Sequence, residues 1–384
     1  MLSSVYQTLI RPYLSQSQYL TLEIRVWLLQ TYKTCKLERL AASYPLPILY
    51  ESRRKHLQRF LNSTSLSVTL IWLPIIKQII TSKIPKSKRL IIALDRTHWQ
   101  DNNLLMVSVI GKQRALPIYW IFIKTKGNSN LNEQMAVLSP VFKLLKPYQL
   151  VVIGDREFRG AQLAYWLKRK KVQFVLRVQE SSYVKIRGQQ SQKISSLELY
   201  PGMKQFYPRV NYTKNKGFGY FNLGAYWKRK YRGKQEKQGW YLLTNLDSIE
   251  EVIKVYQSRM GIEAMFRDCK SGGYNLEGSK VKRERLTRIV LLIAIAYTSA
   301  IFQGGKIKYK GQQKYVNRCY QSKTFTKRHS NFWVGLYGHA WIVNWHSCWQ
   351  LVEQLMSLSL QKLKYYQRGL KAMSLIQSAQ IFSC

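Results

Sequence analysis

Three acidic residues in a very basic chain have the types and spacing to do chemistry. The sequence carries 62 Lys and Arg against 19 Asp and Glu, a formal net charge of +43, and only five aspartates. Two of the five, Asp95 in "IIALD" and Asp155 in "VVIGD", close apolar runs of strand length. Carboxylates at strand ends of an α/β sheet converge where ligands usually bind. Adding Glu263 gives the all-oxygen donor set that Mg²⁺ prefers, with positions left for water and phosphate. Two such ions about 4 Å apart can activate an attacking oxygen and steady a leaving one in phosphodiester cleavage. An Asp after a strand also commonly caps the next turn, and either aspartate alone reads that way. The three acids together, in a chain this poor in Asp, favour the metal reading. His98 and Glu157, close in sequence to the two aspartates, fit equally as supporting partners or as structural side chains.

A second group surrounds the third acid. In "YQSRMGIEAMFRDCK", residues 256–270, Tyr256, Arg259, Glu263 and Lys270 stand at offsets of zero, three, seven and fourteen. At about 100° per residue in one helix these fall at roughly 0°, 300°, 340° and 320°, a stripe of about 60°. Arg259 and Glu263 could simply form a supporting i,i+4 pair, but a solvated face would not need a tyrosine.

The elements that must position these residues are legible in outline. Residues 1 to about 80 carry apolar residues at three- and four-residue spacing, broken by "PLP" at 46–48, and read as helical. From Arg89 the runs "RLIIALDRT", "LLMVSVIGK" and "ALPIYWIFIK", split by short polar segments, predict an antiparallel meander. Helix, strand, helix and strand follow, through "LNEQMAVLSPVFKLL", "YQLVVIGD" and "VQFVLRV". That order predicts a ribonuclease-H-like α/β core. A Gly-, Lys- and Tyr-rich segment at about 179–246 reads as an inserted β subdomain, and the apolar run Ile289–Phe302 as a buried helix too short to span a bilayer. The expected organisation is a helical N-terminal DNA-binding domain at 1–85, a catalytic domain at 86–304, and a mainly helical C-terminal region at 305–384 that dimerises or contacts DNA.

Composition narrows the partner. A charge of +43 exceeds what solubility asks for and makes the compact chain repel itself. The cations recur at Lys83–Arg89, Lys168–Lys171, Lys228–Lys237, Lys280–Arg288 and Lys306–Lys314, which suits a nucleic-acid track better than one anion pocket. Neither a basic amphipathic helix nor a lipidation signal favours a membrane surface, and the N-terminus lacks signal-peptide features. Five scattered cysteines without CxxC spacing argue for a reducing compartment and against structural zinc.

The motifs as a set resemble a known family. Tyr256, Arg259, Glu263 and Lys270 reproduce without a gap the YREK signature of bacterial insertion-sequence transposases of the DDE type, insertion-sequence family four. "LDRT" at 94–97 and "GDREF" at 154–158 look like its two aspartate motifs, and "GWYLLTN" at 239–245 is similar to its tryptophan-bearing strand. The resemblance runs from about 89 to 304, with one departure: the residue two after the second aspartate is commonly glycine in the family and is Glu157 here. It implies that Asp95, Asp155 and Glu263 hold two Mg²⁺ ions, for which Mn²⁺ can substitute. It implies that Tyr256, Arg259 and Lys270 grip phosphates beside the cleaved end, and that Trp240 stacks on a base turned out of the duplex; apart from the family, Trp240 reads as a core residue. The implied activity is cleavage at transposon ends, through a hairpin, and strand transfer into target DNA, by a homodimer assembled on terminal inverted repeats in the bacterial cytoplasm. The alternatives are a nuclease or resolvase of the same fold that joins no ends, and a decayed copy that only binds DNA.

Overall fold

The computed structural model describes residues 2, 4–111, 114–124, 127–213, 219–229, 237–320 and 328–381. In chain order, helices α1 (Ser4–Ile10), α2 (Gln16–Tyr32), α3 (Leu37–Ala42), α4 (Tyr50–Asn62) and α5 (Leu73–Lys83) precede strands β1 (Leu90–Trp99), β2 (Asn102–Ile110) and β3 (Ala115–Phe122). Next come α6 (Leu131–Leu144), β4 (Leu150–Gly154), α7 (Ala161–Arg169) and β5 (Gln173–Arg177). Strands β6 (Tyr183–Lys185), β7 (Ser191–Lys193), β8 (Lys204–Tyr212), β9 (Tyr220–Tyr226) and β10 (Trp240–Thr244) lead to α8 (Ile249–Gln257) and α9 (Met260–Cys269). Helices α10 (Arg283–Tyr309), α11 (Gln313–Val316), α12 (Asn331–Ser357) and α13 (Leu363–Ile381) follow. Two compact units result: Met1–Gln78 with Arg267–Cys384, and Ile79–Phe266. The first unit joins distant parts of the sequence because α10 packs with the N-terminal helices α2 and α4.

The second unit is built on one ten-stranded sheet. Its order is β3-β2-β1-β4-β5-β10-β9-β8-β6-β7. The meander β1 to β3 is antiparallel, and β4 and β5 add in parallel, each entered from a helix. This is the ribonuclease-H-like arrangement expected from the alternation of elements. The parallel β4, "LVVIG", is buried along its whole length, which is why it reads as an unbroken apolar run. The expected β insertion is not a separate sheet: β10 pairs antiparallel with β5, and β9, β8, β6 and β7 carry the same ladder outward. Residues 214–218 and 230–236, with most of the basic run Lys228–Lys237, lie outside the described residues.

The first unit is helical. Its α10 packs against α2, α4, α12 and α13. A Cβ on Gly304 would meet the Asn331 carbonyl oxygen at 1.8 Å, and one on Gly335 the Ala300 carbonyl oxygen at 1.9 Å, so glycines on both helices let α10 and α12 touch backbone to backbone. Among the described residues α10 is the one helix long and apolar enough to cross a membrane, exceeding the 14-residue run seen in the sequence. Its most apolar window is 78% buried within the protein, as expected of a core helix. Cys35, Cys269, Cys319 and Cys348 form no disulfide.

Candidate active site

Asp95 and Asp155 are placed by neighbouring parallel strands. The register pairs Leu94 with Gly154, so the next residue on each chain is an aspartate, on strands about 4.8 Å apart. Asp95 does not end its strand: β1 runs on to Trp99, paired with β2 throughout. Its residue is 8% exposed; Oδ1 accepts from the Arg96 backbone N–H at 2.8 Å and Oδ2 from Arg259 at 3.1 Å. Burial, with the nearby Asp155 and Glu263 carboxylates, pushes the Asp95 carboxyl up to about 7 despite the opposing Arg259. Asp155 does cap the turn after β4, accepting from the Glu157 N–H at 2.9 Å. Gly154 permits that turn, since a Cβ there would press on Phe158 at 2.9 Å.

The segment 256–270 is not one helix. Helix α8 ends at Gln257, Ser258 and Arg259 form a turn with i→i−3 backbone bonds, and α9 begins at Met260. Ser258 promotes the break by donating its hydroxyl to the Val255 carbonyl at 2.6 Å. The expected single stripe of four side chains is therefore corrected, yet three of the four still meet. Arg259 donates to Asp95 and also to Glu263, and the pull of these carboxylates outweighs its burial and raises its affinity for the proton. Tyr256, buried on α8, is electrostatically linked to Arg259, Arg177 and Asp155. Its hydroxyl is held against the Arg177 guanidinium. Lys270 follows α9, belongs to the helical unit, and pairs with Glu277 at 2.7 Å.

Trp240 is half-buried at the start of β10. Its ring meets that of Tyr256 edge to face, with centroids 5.0 Å apart, and that of Tyr226 at 5.7 Å. Because β10 runs antiparallel to β5, its first residues lie at the same sheet edge as Asp155. Sequence reasoning missed two cations there. Arg156 follows Asp155, and Arg177 ends β5 and donates to the Gly239 carbonyl at 3.3 Å. They line a cleft of about 310 Å³ with Gln179, Ser181, Gly239 and Tyr241. Burial pushes the Arg177 guanidinium down, and Arg156 and Arg259 add to the effect against the pull of Tyr256, so these cations sit close enough to repel. Their signal in the sequence was only a basic residue just past the end of one strand and another at the end of the next. His98 is exposed on β1, whereas Glu157 is tied into the site by an ion pair with Arg96.

The donor chemistry fits a hard divalent cation, since the three carboxylates are balanced among themselves by one guanidinium. Among the described residues no three His, Cys, Asp or Glu side chains stand close enough together to hold a metal ion as they are placed.

A family model described as the transposase DDE domain matches residues 86–299, more than half of the chain. The chain belongs to the DDE transposase family. It is accordingly an enzyme of DNA transposition, acting on DNA by divalent-metal chemistry of the kind this family uses. Comparison with curated proteins returned no match. Among solved structures, the cryo-EM structure of the piggyBac transposase synaptic complex with hairpin DNA is similar at 15% identity and a TM-score of 0.44, over 85% of this chain and 71% of that one. Marinitoga piezophila Argonaute in complex with 5′ OH guide RNA and target DNA is similar at 11% identity and a TM-score of 0.23, over 50% of this chain and 30% of that one. At these scores neither likeness bears weight.

Proposed function

We propose that this DDE transposase is of the YREK-signature group, insertion-sequence family four, and cuts and pastes through a hairpin. The observation that carries the reading is the Arg259 guanidinium shared by Asp95 and Glu263, beside an Asp155 aligned by strand register. It joins two of the three acids to the signature residue that the family devotes to phosphate. Asp95, Asp155 and Glu263 are the residues that would hold two Mg²⁺ ions, with Mn²⁺ as a substitute. When bound, such ions supply activation of the attacking oxygen and charge stabilisation of the leaving one.

The chain's own side chains divide the remaining work. Arg259 turns from the carboxylates to a phosphate once another cation neutralises them, and its planar fork suits that bidentate contact. Tyr256 offers its hydroxyl to the same strand, and the resemblance assigns Lys270 to this grip as well. Trp240 presents its exposed face to a base turned out near the transposon tip. Hydrolysis nicks the end, the freed 3′-OH attacks the opposite strand to close a hairpin, and after hairpin opening the 3′-OH attacks target DNA. Residues 1–85 would recognise the terminal inverted repeats and residues 305–384 support a homodimer on paired ends, in the bacterial cytoplasm.

The test is a gel assay on a labelled transposon end with Mg²⁺ or Mn²⁺. Nick, hairpin and joined product should appear in that order, and Glu263→Gln should keep end binding but lose all three. Cleavage without any joined product would overturn the transposase mechanism in favour of a plain nuclease; full nicking by Glu263→Gln would remove that residue from the catalytic set.

A further inference from the structure

The acidic site has a neighbour that the reaction as described does not use. Arg96, next to Asp95 on β1, pairs through Nε with the Glu157 carboxylate at 2.6 Å, and Glu157 lies two residues after Asp155. The side chains are 17% and 10% exposed, so the pair is largely shielded from water and salt. The remaining bonds of the pair lead to backbone and to neighbouring side chains, among them a long one of 3.4 Å from Arg96 to the exposed Asn128. Arg96 also donates to Asn103 on β2 at 2.8 Å, and Asn103 in turn donates to the Gly127 carbonyl at 3.1 Å. The other Glu157 oxygen accepts from the Ser129 N–H at 2.9 Å and the Ser129 hydroxyl at 2.8 Å, ahead of α6. Meanwhile the Glu157 backbone N–H donates to the Asp155 carboxylate, and the Arg96 backbone N–H to that of Asp95.

The two residues of the ion pair are thus the two whose backbone N–H groups hold the two aspartates. A bond between their side chains fixes one carboxylate relative to the other. These two backbone N–H bonds alone would orient each aspartate separately but leave the turn after β4 free to shift against β1.

We infer that Arg96 and Glu157 are positioning residues that set the spacing of the Asp95 and Asp155 carboxylates for cation binding. This rests on Asp95 and Asp155 being metal ligands. It also gives a role to Glu157, where the family commonly has glycine: here the spacing depends on a side-chain staple.

The experiment titrates the full chain with Mn²⁺ in the absence of DNA, reading free Mn²⁺ by electron paramagnetic resonance, with thermal melting alongside. Glu157→Gln, which keeps the Ser129 bonds but loses the charge, and Arg96→Lys, which keeps the charge but loses the fork, should each weaken Mn²⁺ binding about 10-fold, as loss of partners behind metal ligands does. Each should melt within a few degrees of wild type and bind duplex DNA as wild type does. Ser129→Ala, which removes one bond to Glu157 but leaves the ion pair, should keep wild-type Mn²⁺ affinity. Unchanged affinity in both Glu157→Gln and Arg96→Lys would overturn the inference, as would unfolding of both, which would make the pair a fold-holding contact. Asp155→Asn separates the two failures. If it abolishes Mn²⁺ binding while the staple variants bind normally, the positioning role alone fails; if it binds Mn²⁺ normally, the metal-site reading fails first.

Discussion

Arg259 donates to the carboxylates of both Asp95 and Glu263, so one guanidinium, 164 residues after Asp95 in the chain, ties a central strand to helix α9. Removing it leaves two partly buried carboxylates facing each other without a counter-charge. Breaking such a pair from one side typically costs about 3 kcal/mol or more. Arg259→Ala should therefore melt several degrees lower than wild type, and Asp95→Asn in the same chain should recover much of the loss, as a double-mutant cycle would show.

The same substitution should separate the steps on DNA. On the proposed route the first nick would depend on the acids, whereas hairpin closure and joining would also need the strand held in attack geometry. Arg259→Ala, assayed above its apparent Kd for the end, should lower hairpin formation at least 10-fold more than nicking. An equal fall in both would assign Arg259 to the acids alone.

Trp240 makes two edge-to-face contacts with tyrosines, yet is only half-buried. If its open face takes a base, Trp240→Ala should weaken binding to an end with an unpaired tip by about 1 to 3 kcal/mol, and Trp240→Phe should restore most of it. Fluorescence of 2-aminopurine at the tip reads the flipped base directly. A tip signal unchanged in Trp240→Ala would return the residue to the core.

Duplex binding should depend steeply on salt. Each neutralised phosphate contributes a log–log slope of about 0.9, and six contacts or more would lose about 10³-fold in affinity between 50 and 200 mM salt. Anisotropy titrations at four salt concentrations measure it.

Acid should weaken the helical unit through one buried imidazole. His339 is 6% exposed, lies within 2.9 Å of the Thr31 hydroxyl, and burial pushes it down to about 4 from the ordinary 6.5. Between these values the unfolded chain binds a proton that the folded one does not, so this stability is present above pH 6.5 and lost as pH falls toward 4. Relative to His339→Gln, wild type should lose up to about 3 kcal/mol across that window in urea unfolding. A flat difference would mean the ring is not held neutral.

Much of this was legible in the sequence, and what was not has physical causes. The strands carrying Asp95 and Asp155 were visible because a two-residue period and an unbroken apolar run are local signals. The break at Ser258 and Arg259 was not, because a turn with i→i−3 bonds hardly disturbs the apolar rhythm, and the force holding Arg259 there comes from Asp95, far away in sequence. The pairing of β10 with β5, and of α10 with the N-terminal helices, are likewise long-range choices that no local window contains. The ion pair of Arg96 with Glu157 left one trace, an acidic residue where a family usually has glycine, and its partner could not be named from spacing.

The continuity of the ten-stranded sheet bears on how specificity can change. From β1 through β4 and β5 to β10 there are three strand spacings, about 14 Å in all, each locked by backbone hydrogen bonds. The strand that begins with Trp240 is therefore gauged from the strand bearing Asp95 by the main chain itself. Side chains at the sheet edge can be exchanged, and the connections among the outer strands lengthened or shortened, without moving that gauge. Mutation can then retune which DNA is gripped while the distance between the positions proposed to grip and to cut is inherited unchanged.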